Sequence, residues 1–479
     1  MEWFLILVAL AIPALLGGLW LGLCIPPGTP GRRALVWGNG ILAGLLVVPM
    51  LMRLVDALGL PLGFGTTASF ACGLILFALL VRYFWQSHTA NPSLPQALWP
   101  TLPPSHKMLV AFLGTLIAVR LATLGLELML RPLFPWDATM HWATKARVWF
   151  EAGRIVPFVE NSQWLELAGE GVYTDNHPDY PITTPLLQVW MNSAKGQWDE
   201  SLMNLPWLLC LIGLGAAFFG QARASGAGMV VATVFCYFLL SMPLVNTHVA
   251  LAGYADLFLG ACYCAALMAF HNWSVQRQNW QAGMAVFFAL CCPLIKNEGF
   301  YWLLTFIPAL VVVLVPGRKA LLLLCCLLLA AVGVLAFFPP DLAVAGHSLN
   351  RLNLHYRPGA LAGIGSVFWV HGNWHLFAYL FIAALPLGLI SAGGKARHCQ
   401  GILAALSSAL ALFLILFLFT GYAKGAVYFT AVGRISLQLV PGLVFLAMLL
   451  CSSLLANTQR ETSPKRPLHA GSRQPPASE

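Results

Sequence analysis

Three polar clusters carry residue types suited to acid–base and anion chemistry. Nine of the chain's seventeen carboxylates lie between residues 131 and 201. There Trp136-Asp137 opens an amphipathic stretch, and helical spacing stacks Asp137, His141 and Thr144 or Lys145 on one face, one turn apart. A carboxylate, an imidazole and a cation can then share one small volume. The second cluster is His177-Pro178-Asp179-Tyr180-Pro181, whose two prolines exclude a regular helix and hold His177 and Asp179 in an extended turn. The third, Lys296-Asn297-Glu298-Gly299, follows an apolar run and precedes Phe300-Tyr301-Trp302. Plainer readings stand beside these: Asp137 and Asp179 can cap the helices that follow them, His177 can be a solvated loop histidine, and Lys296 can simply pair with Glu298. Asp137, His141, His177, Asp179 and Asp256 also offer oxygen and imidazole ligands, which leaves a divalent ion open without requiring one.

The elements that must position these clusters belong to a membrane. Hydrophobic residues make up 59% of the chain and charged residues 9%, and mean hydropathy is +0.78. Apolar runs recur at lengths that cross a ~30 Å hydrocarbon layer as helices. About thirteen spans are expected, at roughly 3–25, 35–55, 67–86, 108–130, 204–221, 227–245, 255–271, 281–296, 300–316, 319–338, 374–392, 400–420 and 436–455. Short basic loops stay cytoplasmic. With strict alternation Arg32 and Arg33, Arg82 and Lys107, Arg223, Arg277, Arg318 and Lys319, Lys395 and Arg397, and the tail basics Arg460, Lys465, Arg466 and Arg473 share that side. The amino terminus is then outside and the tail inside, with residues 131–201, 246–256, 296–299, 339–373 and 421–434 all external. This alternation requires that the helix from about 182 to 197 does not cross. Its Gln188, Asn192, Ser193 and Lys195, with Trp190 and Trp198, suggest an interfacial helix lying on the outer surface.

Composition removes other classes. Glu2 stands where a secretory signal has its basic region, so the first span is expected to stay in the mature protein. The net charge of +9 fits cytoplasmic loops facing anionic lipid, and no basic run interleaved with aromatics points to nucleic acid. The twelve cysteines lie mostly inside spans, without zinc or redox spacing, and read as small apolar packing residues.

Several of these segments resemble a family. Trp136-Asp137-Ala138 followed by Lys145-Ala146-Arg147, then His177-Pro178-Asp179-Tyr180-Pro181, Gly253-Tyr254-Ala255-Asp256, Lys296-Asn297-Glu298-Gly299, and Arg434 before Gln438-Leu439-Val440-Pro441, look like bacterial membrane glycosyltransferases of the GT-C superfamily. The group related to protein mannosyltransferases and lipid A aminoarabinose transferases is the nearest likeness. The resemblance covers residues 107 to 455. It implies an all-α polytopic fold of GT-C type in which Asp137 is the catalytic base. It further implies that Asp256 assists with metal or acceptor, and that Arg434, Lys296, Lys145 or Arg147 sit near a donor phosphate. His141, His177, Asp179 and Glu298 remain candidates on the acceptor or metal side.

The expected organisation is an amino-terminal three-helix block at 1–106, a catalytic module at 107–455 with its external loop at 131–201, and a disordered cytoplasmic tail at 456–479. The implied activity is inverting transfer of a sugar from a polyprenyl-phosphate donor to a hydroxyl of a lipid, glycan or protein, on the periplasmic face of a bacterial inner membrane. A divalent metal is left open. Two other classes compete. A transporter or flippase would explain Arg120 and Glu127, seven residues apart on one face of the fourth span. A polysaccharide ligase or polymerase would use the 339–373 loop, with His347, Arg351, His355, Arg357 and His371.

Overall fold

The computed structural model describes residues 2–86, 102–337, 339, 343–344, 347–348, 354–392 and 398–462. Apolar runs fold as helices because a helix satisfies its own amides and carbonyls where no water can. Four helices precede the polar segment: α1 (Glu2–Cys24), α2 (Arg32–Ala57), α3 (Phe64–Gln86) and α4 (Pro104–Leu130). The polar segment itself holds a π-turn (Ala138–Ala143), α5 (Thr144–Ala152), α6 (Asn161–Glu166) and α7 (Thr183–Lys195). Two-residue strands β1 (Phe158–Val159) and β2 (Tyr173–Thr174) pair in parallel across it. Next come α8 (Leu205–Ala224), α9 (Met229–Leu240), α10 (Pro243–Ala250), α11 (Asp256–Gln276) and α12 (Asn279–Ile295). They are followed by α13 (Gly299–Leu304), α14 (Phe306–Leu314) and α15 (Gly317–Phe337). After a short antiparallel pair, β3 (Ala343–Val344) and β4 (His347–Ser348), come α16 (Gly359–Trp369) and α17 (Phe377–Ala392). The last helices are α18 (Gln400–Phe419), α19 (Ala423–Val427) and α20 (Val432–Thr462).

Among the described residues, eight helices are long and apolar enough to cross a membrane, and α9 with α10, bent by 56°, make a ninth if they are one span. The chain is an all-α polytopic membrane protein. α11 is its hub: it is buried along nearly its whole length and packs against α8, α12 and α20. α2 packs on α8 as well as on α1, so Leu35, Ile41 and Leu42 share one core with Leu211, Leu214 and Ala217. The amino-terminal block thus shares its core with the module that follows.

α7 corrects one expectation. Its faces are not open to water or headgroups: it is buried on nearly all sides, wedged against α1, α2, α3 and α5. Three of the polar residues that suggested contact with water find partners inside the protein, although Gln188 Oε1 has none among the described residues. Gln188 donates to Asn204 Oδ1 at 3.2 Å, Asn192 Oδ1 accepts the Asp199 amide at 2.8 Å, and Lys195 pairs with Asp199. Trp190, only 1% exposed, donates its indole N–H to the Ala9 carbonyl of α1 at 2.9 Å. The first helices also clamp the polar segment. Asp56 accepts the Ile155 amide at 2.8 Å, the Leu62 amide donates to the Gly153 carbonyl at 2.8 Å, and Arg53 donates to Thr183 at 3.3 Å.

Candidate functional site

Asp137 opens the π-turn, and its carboxylate makes no cap bond to the helix that follows. It accepts instead from Arg434 Nη1 at 2.5 Å, across 297 residues of chain. Arg434 lies in the first turn of α20, and its guanidinium sits 4.8 Å from the centre of the Tyr254 ring. Gly253 permits this junction. Its φ of +106° suits glycine, and a Cβ there would lie 2.6 Å from the Ala138 Cβ, so the Tyr254 turn lies directly against the start of the π-turn.

Behind this pair lies a second charged group. Asp256, 1% exposed at the start of α11, accepts from Lys296 Nζ at 2.8 Å and from Gln438 Nε2 at 2.7 Å on the same oxygen, Oδ1. Gln438 is itself oriented by the Trp302 indole at 2.6 Å. Lys296 also reaches Glu298 at 3.0 Å, so it bridges two carboxylates and is not held by Glu298 alone. The next residue, Asn297, donates to Asp179 at 2.6 Å and ties the second sequence cluster to the third. Gly299 closes the turn. A Cβ there would stand 2.2 Å from the Cys292 carbonyl, so only glycine lets the Lys296 turn fold back so tightly on α12.

A third group centres on Asp175, which sequence reasoning missed. His141 Nδ1 lies 2.6 Å from Asp175 Oδ1, and Lys145 Nζ lies 2.7 Å from Oδ2 and donates to the His177 carbonyl at 2.6 Å. The His177 amide also donates to Asp175, at 3.2 Å. Burial alone would raise the Asp175 carboxyl, but Lys145 and His141 beside it hold it below the usual carboxylate range. Burial lowers Lys145 in spite of Asp175, and burial together with His141 lowers His177. The face expected to unite Asp137, His141 and Lys145 is therefore divided. Thr144 donates its amide to Thr139, five residues back, which marks the π-turn; His141 within that turn and Lys145 beyond it reach Asp175, while Asp137 at its start reaches Arg434.

Tyr180 joins the groups. Its ring stacks on His177 at 4.5 Å and on Trp142 at 5.0 Å, and it lies close enough to Glu298, Arg434, Asp137 and Asp179 to interact with their charges. Burial and then Glu298 push its hydroxyl well up. Tyr422, between α18 and α19, is pushed up by burial and by the same Glu298.

The structure thus brings Asp137, Asp179, Asp256, Lys296, Glu298 and Arg434 to one end of the bundle, with His141 and His177 alongside. Of two further expected phosphate ligands, one is tied up beside His141 and the other lies apart on the surface. Lys145 is 1% exposed and fully engaged as an internal tie, and Arg147 is exposed, pairing with Glu151 at 2.9 Å beside the Trp198 ring. Glu127 pairs with Arg131 at 2.5 Å, not with Arg120, which is exposed on α4. His355 lies 3.2 Å from Arg357, and His371 packs on Phe429, while Arg351 and the side chain of His347 lie outside the described residues. Among the described residues no three His, Cys, Asp or Glu side chains gather as metal ligands.

Fold and site together define a polytopic α-helical membrane protein with paired charges massed at one end. No family model, curated protein or solved structure matches the chain.

Proposed function

We propose that the chain is an inverting glycosyltransferase of GT-C type that moves a sugar from a polyprenyl-phosphate donor to a hydroxyl acceptor at the external membrane surface. One observation carries the reading: the Asp137 carboxylate and the Arg434 guanidinium meet at 2.5 Å where the π-turn joins α20, beside the Lys296, Asp256 and Glu298 group. Such a transfer needs a proton acceptor and cations in adjoining positions.

In this reading the acceptor oxygen attacks the anomeric carbon from the face opposite the phosphate. The bond from that carbon to the phosphate oxygen breaks, polyprenyl phosphate leaves, and Asp137 takes the hydroxyl proton. Arg434, whose planar fork can hold a phosphate through two hydrogen bonds, moves from Asp137 to the donor as it binds, with Lys296 neutralising the leaving group. Asp137 and Arg434 thus neutralise each other until the donor separates them. Asp256 and Glu298 hold Lys296, with Gln438 donating to Asp256, and Asp179 with Asn297 positions the acceptor edge. The orientation follows from the basic short loops, which put this end of the bundle outside.

The test uses a photoreactive polyprenyl phosphate on the purified protein. Crosslinks mapping to the Lys296 turn or the start of α20, competed away by excess polyprenyl phosphate, support the reading. Crosslinks confined to other helices contradict it.

A further inference from the structure

Three neighbouring residues, His248, Asp256 and Arg434, each carry a buried polar atom with no hydrogen-bond partner among the described residues. His248, 5% exposed on the short helix α10, has Nδ1 2.9 Å from the Leu244 carbonyl one turn back. In the neutral ring Nδ1 therefore carries the hydrogen, and Nε2 presents a bare lone pair. That nitrogen is buried and has no hydrogen-bond partner among the described residues. Asp256 directs both its hydrogen bonds to Oδ1, and Oδ2 is left with none. Arg434 engages Asp137 through Nη1, and its Nε–H is unpartnered. The three residues are neighbours: His248 interacts with the charges of Asp256, Arg434 and Lys296, and its ring lies 5.9 Å from Tyr254, over which Arg434 sits.

Two acceptors and one donor without partners are the complement of a ligand with two donors and one acceptor. Adjacent hydroxyls on a sugar ring have that inventory, each donating once and one accepting as well. A bare phosphate lacks the donors. An ammonium group supplies donors, but the Asp256 charge is already met by Lys296 at 2.8 Å with Arg434 close by, so a further cation would face two others. Charge therefore selects a neutral group.

We infer that His248 Nε2, Asp256 Oδ2 and Arg434 Nε form a subsite for the hydroxyls of an uncharged sugar, with His248 as a specificity-determining residue. This rests on the proposed glycosyl transfer and names the part of the donor that His248 reads. A ring hydroxyl donates to Nε2, its neighbour donates to Asp256, and one hydroxyl oxygen accepts from Arg434.

The experiment compares binding of three probes to the purified full chain: bare polyprenyl phosphate, polyprenyl phosphate carrying glucose or mannose, and polyprenyl phosphate carrying a 4-amino-4-deoxy sugar. The wild type is expected to prefer a neutral sugar-linked lipid over the bare phosphate. His248→Asn, which keeps a donor for the Leu244 carbonyl but removes the Nε2 acceptor, should cut that preference by about three- to tenfold, the value of one neutral hydrogen bond. Its affinity for the bare phosphate should be unchanged. His248→Gln, which restores an acceptor near the Nε2 position, should recover part of the preference. With monodeoxy sugar donors added as a fourth set of probes, at least one should bind the wild type about three- to tenfold more weakly than its parent sugar donor, and His248→Asn should erase that difference. Equal loss for bare and sugar-linked lipid, an unchanged His248→Asn, or a preference for the amino sugar overturns the subsite while leaving the transferase reading intact. Failure of the wild type to bind any of these lipids overturns both.

Discussion

Arg434 makes two contacts that a lysine could not keep together. It grips the Asp137 carboxylate at 2.5 Å and lays its planar face 4.8 Å from the centre of the Tyr254 ring. An ammonium retains the charge but loses the fork and the flat face. Arg434→Lys should therefore weaken affinity for a lipid phosphate measurably, and Arg434→Ala should weaken it more. Equal affinity in Arg434→Ala and wild type, measured by titration with polyprenyl phosphate, would take Arg434 out of the donor site. His177 supports a prediction of a different kind. Burial and the neighbouring His141 depress it below its ordinary value. A depressed histidine contributes stability that is present above its unfolded value, about 6.5, and is lost as pH falls through the depressed value. Melting temperature should therefore fall more steeply between about pH 8 and pH 5 in wild type than in His177→Gln. Parallel curves would mean that His177 titrates alike in the folded and unfolded chain.

At the scale of elements, the π-turn and the Asp175 loop form one buried joint. Removing one member of a buried ion pair strands the other, at a cost of about 3–5 kcal/mol, whereas replacing both with apolar residues of similar size can be nearly neutral. Asp175→Leu and Lys145→Met should each destabilise the protein strongly, and the double variant should lie closer to wild type than either single one. Additive losses in thermal melting would show that the two side chains act independently. This joint was only partly legible in the sequence. His141 and Lys145 stood out because they are a helical turn apart, but Asp175 lies in an irregular loop where no periodicity marks a partner. The π-turn was hidden for a related reason, since nothing in Ala-Thr-Met-His-Trp-Ala shows that one hydrogen bond skips an extra residue. The links from Asp137 to Arg434 and from Asp256 to Lys296 were not read from the sequence, which offered Glu298 as the partner of Lys296: each residue stood out as a charge at the end of an apolar run, but its partner lies far along the chain. α7 misled because Gln188, Asn192 and Lys195 look solvent-seeking, and their partners Asn204 and Asp199 come from the turn that follows.

For the whole molecule, alternation of spans placed five polar segments on one face. Four of them interact at one end of the bundle: Asp137, Asp179 and Tyr180; Tyr254 and Asp256; Lys296 to Glu298; and Tyr422 with Arg434. Which side of the membrane that end faces is tested by labelling. In a background without native cysteines, a cysteine at the exposed Ser162 of α6 should react with an impermeant reagent from outside intact cells, and a reporter joined after Arg460 should be cytoplasmic. Reaction at Ser162 only after lysis would reverse the orientation and place the site where cytosolic nucleotide-sugar donors are available.

Because the site unites a carboxylate with cations fit for a phosphate, the most direct measurement is release of polyprenyl phosphate. Purified wild type and Asp137→Asn are incubated with a panel of polyprenyl-phosphate sugars and hydroxyl acceptors. The account predicts release coupled to acceptor glycosylation by the wild type, with turnover lower by about 10²- to 10⁴-fold in Asp137→Asn while expression is kept, as expected when a positioned base is lost. Transfer by Asp137→Asn within about tenfold of wild type would contradict the assignment of the base, and no release by the wild type from any donor in the panel would contradict the account itself.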